Sequence, residues 1–266
     1  MIRSFVLLST DHGPLIANRF DYNHSFDGRY YGVGAQLMET GRYDMREVEM
    51  LKSMLDVRRD YYKDGVVAID GGANIGVHTV EFAKHMIGWG AVLSFEAQER
   101  LFYCLAGNIA IQNCGNARAI WGALDAVDGG DIAIPVPDYS VPGSFGSFEL
   151  RERLGNENIG QPVDYGKPMS WVPRISIDAL QMPRVDLLKL DIEGMELDAL
   201  AGAVETIKRC RPVLFIETIK IDFERLKLLL ADLDYRHYPH GMNVLALHKD
   251  DPSAQHVSAE PMRSAA

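Results

Sequence analysis

The sequence predicts an α/β protein whose mostly parallel sheet carries helices on both faces. Three observations carry this reading. Short β-branched runs alternate with amphipathic stretches of helical period from Val66 to Leu233. Strands end in acids at turns, as in Val66–Ile69 running into Asp70-Gly71-Gly72 and Val185–Leu190 running into Asp191. The chain has 266 residues, 47% hydrophobic and 24% charged, which suits one large globular domain with room for an insertion.

Taken in order, residues 2–9 and 15–20 are apolar-rich runs around Asp11-His12-Gly13-Pro14 and predict a hairpin. The opening stretch reads as a strand, not a signal peptide, because Asp11 and His12 stand where a small-residue cleavage site belongs. Residues 23–44 are rich in Gly, Tyr and Asp and predict a surface loop. Met45, Val48, Leu51, Met54 and Leu55 recur at helical spacing, so an amphipathic helix runs to about Tyr62. Residues 1–62 thus form an extension ahead of the main domain at 63–249.

That domain opens with the strand Val66–Ile69, a glycine turn and a helix over Val77–Met86. The strand Ala91–Phe95 ends at Glu96, and a helix follows over Gln98–Gln112 with Leu101, Leu105, Asn108 and Ile109 on one stripe. Ala117–Leu124 is the third strand. The alternation then breaks. Residues 126–174 hold six prolines, and seven glycines, and predict an irregular insertion with a hairpin near Asp131–Val136. It reads as a lid or substrate-binding segment, against a cover over a sheet edge or a dimer contact. Its aromatics Tyr139, Phe145, Phe148, Tyr165 and Trp171 are candidates to stack on an acceptor. The rhythm resumes with the strand Val185–Leu190, one helix over Glu196–Cys210, the strand Val213–Ile216 and a helix over Asp222–Leu233 capped by Asp222. A terminal hairpin, Tyr235–Tyr238 with Asn243–His248, closes the domain, with His237 and His240 read as solvent-facing. The polar stretch 250–266 is expected to be disordered.

Charge and cysteine usage narrow the function. The balance of 27 Lys and Arg against 37 Asp and Glu gives −10, which argues against nucleic acid and anionic membranes as partners. Three cysteines without a CxxC fit neither a disulfide framework nor a structural zinc, and suit a reducing, cytoplasmic compartment.

Residues 66–79, VVAIDGGANIGVHT, carry the first motif: a buried strand, a glycine-rich turn and a helix start. Gly71, Ala73 and Gly76 give GxAxxG where a dinucleotide fold shows GxGxxG. Asp70 would repel a pyrophosphate and welcome a ligand with an ammonium and a sulfonium. Glu96, ending the next strand, can accept hydrogen bonds from both ribose hydroxyls; its alternative role is a carboxylate at a helix N-terminus. LLKLDIEGMELDAL, residues 187–200, is the third motif. The carboxyl ends of parallel strands form the ligand crevice, so Asp191 and Glu193 are expected beside Asp70, and a carboxylate there can serve as general base. The alternative role of Lys189 and Asp191 is a buried ion pair that shapes the strand end, and Glu196 reads as helix-end electrostatics. His78 is a weaker candidate base. Asp191, Glu193 and Glu196 are three oxygen donors in six residues, which suits magnesium, but their spacing across a turn does not force convergence, so the metal-free reading is preferred.

In this combination the chain resembles the FkbM family of S-adenosylmethionine-dependent methyltransferases. The resemblance rests on GRYDMREVEML at 41–51, AIDGGANIG at 68–76, SFEAQERLFYCLAGNIAIQN at 94–113 and LLKLDIEGMELDALAGA…RPVLFIE at 187–217. The KxDxEGxE pattern is the specific part. One departure is Ala97, where the family often has proline after FE. The resemblance implies a class I, Rossmann-like fold with seven strands in the order 3-2-1-4-5-7-6, the seventh antiparallel. It implies S-adenosylmethionine as cofactor, its methionine end over Gly71, Gly72, Ala73, Asn74 and Gly76, its ribose on Glu96, and its adenine near Ala97, Ala123, Leu124 and Asp125. It implies O-methylation of a sugar, glycan or polyketide-like acceptor, with acid/base groups among Lys189, Asp191 and Glu193, and places GSFGSF at 143–148 near cofactor or acceptor. The alternatives are a scaffold that binds the cofactor without methylating, and an NAD-dependent oxidoreductase, which the missing GxGxxG and Asp70 oppose.

Overall fold

The computed structural model describes residues 3–25, 28–167 and 169–257. The chain opens with the antiparallel hairpin β1 (Phe5–Thr10) and β2 (Gly13–Asn18). The next stretch is not the loop the composition suggested. A two-residue ladder, β3 (Asn23–His24) with β4 (Tyr30–Tyr31), leads into helix α1 (Val33–Thr40). Val33 and Leu37, one turn apart, bury against the core and hold this short helix in place. Helix α2 (Met45–Tyr62) buries the expected stripe of Val48, Leu51, Met54 and Leu55.

The main domain runs β5 (Val66–Gly71), α3 (Val77–His85), β6 (Gly90–Glu96), α4 (Glu99–Ile111) and β7 (Ala117–Trp121). The predicted third strand breaks at Gly122, and β8 (Ala123–Leu124) leaves the main sheet to pair with the insertion. A side chain on Gly122 would press on the tip of Ile175 at 2.4 Å and come within 3.2 Å of the Pro173 carbonyl, so the crossing of the two sheets is tight there. In the insertion, β9 (Asp131–Ile134) does not form the local hairpin expected. It pairs antiparallel with β10 (Ser170–Ile175), which lies parallel to β8. The irregular chain between them folds back over the main sheet.

Then come β11 (Leu187–Leu190), α5 (Glu196–Ala201), α6 (Val204–Cys210), β12 (Val213–Glu217), α7 (Phe223–Asp232), β13 (Tyr235–His240) and β14 (Asn243–His248). The predicted single helix over 196–210 is two. Asp178 accepts hydrogen bonds from the backbone N–H groups of Glu205 and Thr206, capping the second half, while Ser176 Oγ donates to the Gly202 carbonyl at the break. Asp222 caps α7 as expected, accepting from the Arg225 amide at 3.1 Å.

The main sheet has the order β7-β6-β5-β11-β12-β14-β13. Numbered by position, that is 3-2-1-4-5-7-6, with β14 antiparallel to both neighbours. Leu51, Phe82, Leu101 and Phe215 belong to the core on one face; Leu188, Leu200, Leu214 and Leu230 belong to that on the other. Among the described residues no helix is long and apolar enough to cross a membrane.

Two further expectations need correction. His237 is buried edge-on against Phe223 of α7, which covers that face of β13, and His240, half-buried, packs on Phe215 from the opposite face. Residues 250–257 are packed: Asp251 is buried in an ion pair with the Arg58 guanidinium of α2 and caps a short turn of 3-10 helix, Pro252–His256. Residues 258–266 lie outside the described part.

Candidate active site

A cavity of about 520 Å³ opens at the carboxyl ends of the parallel strands. Its floor comes from the turns after β5, β6 and β11. Its far wall is the turn after β12, and its roof combines α1 with residues 144–148 of the insertion.

The glycine turn is a backbone cradle. Gly72 has φ of +76°, and a Cβ there would lie 1.8 Å from the Asp191 carbonyl oxygen. Only glycine lets the turns after β5 and β11 approach this closely. Gly72, Ala73 and Asn74 face the cavity. Gly71 and Gly76 do not: Gly71 fits under Leu124 and Leu190, and Gly76, at φ +90°, starts α3 against Leu105. Asp70 is fully buried, below the floor. Its Oδ2 accepts a 2.7 Å hydrogen bond from Thr79 Oγ1, and its Oδ1 lies 3.7 Å from Lys189 Nζ. Sequence reasoning placed Asp70 against a cationic ligand; the register of β5 on β11 sets it opposite Lys189 instead.

Glu96 lines the cavity at the end of β6. Its two oxygens accept from the backbone N–H of Asn74 at 2.8 Å and of Gln98 at 2.7 Å. Burial pushes this carboxyl up to about 7, against the pull of those N–H donors. Ala97, Ala123 and Leu124 form the adjoining apolar wall, and the Ala97 carbonyl is fixed by Trp121 Nε1.

At the other end stand the charged groups of β11 and β12. Lys189 is buried, 3.4 Å from Asp191. Burial pulls its ammonium down, but Asp191, Asp70 and Glu47 together hold it well above its ordinary value. Glu193 sits in the left-handed region, φ +56°, which turns its side chain back over the cavity. One oxygen each from Asp191, Glu193 and Glu217 lies within 4.8 Å of the others. Burial and this mutual repulsion push Glu193 up to about 8 and Glu217 up to about 9. Lys220 answers the charge at 2.6 Å from Glu193. Glu196 is not part of the cluster. It accepts from the amides of Ile192 and Gly194, so it shapes the turn, and the three donors weighed from sequence for a metal do not converge.

His78 faces the cavity from the first turn of α3, its Nε2 3.0 Å from Glu47 of α2. Of the insertion aromatics, Phe148 reaches the cavity. Tyr139 packs on Phe145 beneath the roof, Tyr165 stacks on Phe148 from behind, and Trp171 is exposed on the outer edge. Sequence reasoning missed Glu217 and Lys220. Glu217 ends a parallel strand as Asp191 nearly does, so the strand-end rule that found Glu96 could have found it; Lys220 gave no signal.

The model of the Methyltransferase FkbM domain matches residues 70–237. Methyltransferase 1 of Beauveria bassiana (strain ARSEF 2860) is 24% identical over 170 residues, covering 59% of this chain and 67% of that protein. Among solved structures, Methyltransferase FkbM from Methylobacillus flagellatus KT is 17% identical with a TM-score of 0.47, covering 72% of this chain and 48% of that one; this chain thus spans about half its length. A putative caffeoyl-CoA O-methyltransferase from Staphylococcus aureus is 9% identical with a TM-score of 0.47, covering 80% and 88%.

Proposed function

The chain belongs to the FkbM family of S-adenosylmethionine-dependent methyltransferases, and from that premise we propose that its cavity binds S-adenosylmethionine and methylates a hydroxyl of a small-molecule or glycan acceptor. The observation that carries this is the meeting of three strand ends in one cavity: the glycine cradle, Glu96, and the Asp191–Glu193 turn. The residues fit the cofactor. Gly72–Asn74 offer backbone where a side chain would intrude, for the methionine end. Glu96, held by two amides, presents a carboxylate to the ribose hydroxyls, and Ala97, Ala123 and Leu124 give a flat apolar slot for adenine.

When bound, the cofactor supplies a methyl group already activated by a sulfonium. The chain's own residues then have three tasks. The cavity walls align the acceptor oxygen with the methyl carbon. Phe148 and the roof exclude water. The acceptor proton passes to a carboxylate of the Asp191–Glu193 turn. Lys189, locked between Asp70 and Asp191, holds the turn's orientation and is itself too firmly charged to act as base.

The acceptor is proposed to be uncharged at the reacting end, and nucleic acid is disfavoured. Asp191, Glu193, Glu217, Asp44 and Glu157 all face this end of the cavity, and its two lysines are already paired. A phosphate would meet like charge with no counter-ion.

Isothermal titration with S-adenosylhomocysteine tests the cofactor half. Wild type is expected to bind, and Glu96→Ala to weaken binding at least about tenfold (~1.4 kcal/mol). A folded wild type that does not bind refutes the reading. For the chemistry, Asp191→Asn should retain product-analogue binding yet lose turnover on any acceptor found by screening hydroxylated glycans and natural products.

A further inference from the structure

We propose that Lys220 is a positioning residue through which the insertion completes the proton-accepting site: it fastens Glu193 of the β11 turn to two separate points of the 126–174 segment. The inference rests on the methyltransferase reading of the Asp191–Glu193 pair and adds a role for a residue and a segment outside that pair. The Lys220 ammonium has three partners on three stretches of chain. It lies 2.6 Å from Glu193 Oε2 and 2.8 Å from Glu157 Oε2, and donates to the Ser147 carbonyl at 2.8 Å. An ammonium has three donors, so the set is saturated. Its side chain is only 11% exposed, which removes the solvent screening that makes surface pairs weak.

The surroundings show why Glu193 needs this. It occupies a left-handed backbone conformation, which a non-glycine residue holds only when its neighbours enforce it. The acidic groups around it are Asp191 and Glu196 from its own turn and Glu217 from the end of β12, with Glu157 of the insertion across the ammonium; of the nearby cations Lys220 pairs with it, while the Arg153 guanidinium is taken up by backbone carbonyls. Lys189 is spent on Asp70 and Asp191. The insertion grips the same two turns a second time, because the Arg153 guanidinium donates to the carbonyls of both Gly194 and Lys220. Tyr31, from the N-terminal extension, donates to the other Glu157 oxygen at 3.0 Å. The insertion is therefore wired into the carboxylate turn through ion pairs and does more than roof it.

The charge logic yields opposite signs for two substitutions. Removing Lys220 strips Glu193 of its cation and raises its titration midpoint. Removing the Glu157 charge leaves Lys220 to Glu193 alone and lowers the midpoint. A merely structural loosening would move both the same way, toward the value of a solvated carboxyl. The test is a pH titration of the full chain labelled with 13C at the glutamate side-chain carboxyl, with the Glu193 resonance assigned by Glu193→Gln. Lys220→Met should raise the midpoint by about one unit or more, Glu157→Gln should lower it, and Lys220→Arg should return it toward wild type. A midpoint that is unchanged or falls in Lys220→Met overturns the proposal. If Lys220→Met does not fold, Glu157→Gln decides, and a midpoint that rises or stays fixed is fatal. Titration of the same samples with S-adenosylhomocysteine reports the cofactor site separately: loss of binding by wild type would refute the methyltransferase reading while the carboxyl titration still judges Lys220.

Discussion

At the scale of single residues, Gly72 shows how little space the cofactor cradle leaves. A methyl group there would sit 1.8 Å from the Asp191 carbonyl, at a φ that L residues rarely adopt. Gly72→Ala is expected to cost about 1–3 kcal/mol in urea unfolding from the backbone strain alone, and to abolish binding of S-adenosylhomocysteine by calorimetry, since the cradle and the Asp191 turn must move apart. The residues legible in the sequence were those whose meaning is local: a glycine after a strand, an acid at a strand end. Glu96 and Asp191 were placed by that rule and do face the cavity. Asp70 follows the same rule and does not, because the pleat of the six-residue β5, in register with β11, turns its side chain beneath the floor and opposite Lys189. Lys220 was invisible for the opposite reason: its partners are up to 73 residues away.

At the scale of elements, one side chain of α4 ties the N-terminal hairpin to the cofactor turn. Asn108 of α4 accepts from the Ile16 amide at 2.6 Å and donates to the carbonyls of Ile16 at 3.1 Å and Ile75 at 2.7 Å. It thereby joins β2, α4 and the cofactor turn. Asn108→Ala strands three backbone groups, two of them in one edge, and should destabilise the fold by about 2–4 kcal/mol in urea unfolding. It should also weaken S-adenosylhomocysteine, because Ile75 follows the cradle directly. In the sequence Asn108 counted as one member of an apolar stripe, which gave its burial and hid its work. Helix breaks were hidden in the same way. The periodicity over 196–210 is continuous, yet Asp178, far upstream, supplies a cap that ends one helix and starts another. The elements with long unbroken patterns, α2 and the strands of the main sheet, fell where the sequence put them, while α1 and the insertion strands depend on distant partners.

At the scale of the whole molecule, the cavity gathers more acid than its lysines can neutralise, and this sets how stability responds to pH. Glu96 and Glu196 are pushed up to about 7, Glu193 to about 8 and Glu217 to about 9, all above the value of about 4.5 that they take when unfolded. A carboxyl that holds its proton more tightly when folded contributes stability at low pH and loses it as pH rises toward the folded value. The ligand-free protein should therefore melt at progressively lower temperature from about pH 5 to pH 8.5, read by differential scanning calorimetry. The His237 and His248 imidazoles, depressed chiefly by burial, act in the opposite sense but over a lower pH range. If the melting temperature rises over that window, burial does not make these carboxyls hold their protons more tightly in the folded state.

The pair formed by Arg58 and Asp251 joins positions 193 residues apart. Arg58 already leans on Asp186, yet its second partner is made only after every strand of the main sheet has been synthesised. On a growing chain, α2 therefore carries a guanidinium facing an interior that is not yet closed. Asp251 makes this a buried ion pair, and the last turn of the described chain closes over α2. The pair thus fastens the N-terminal extension to the C-terminal turn, although the sequence places them at opposite ends of the domain.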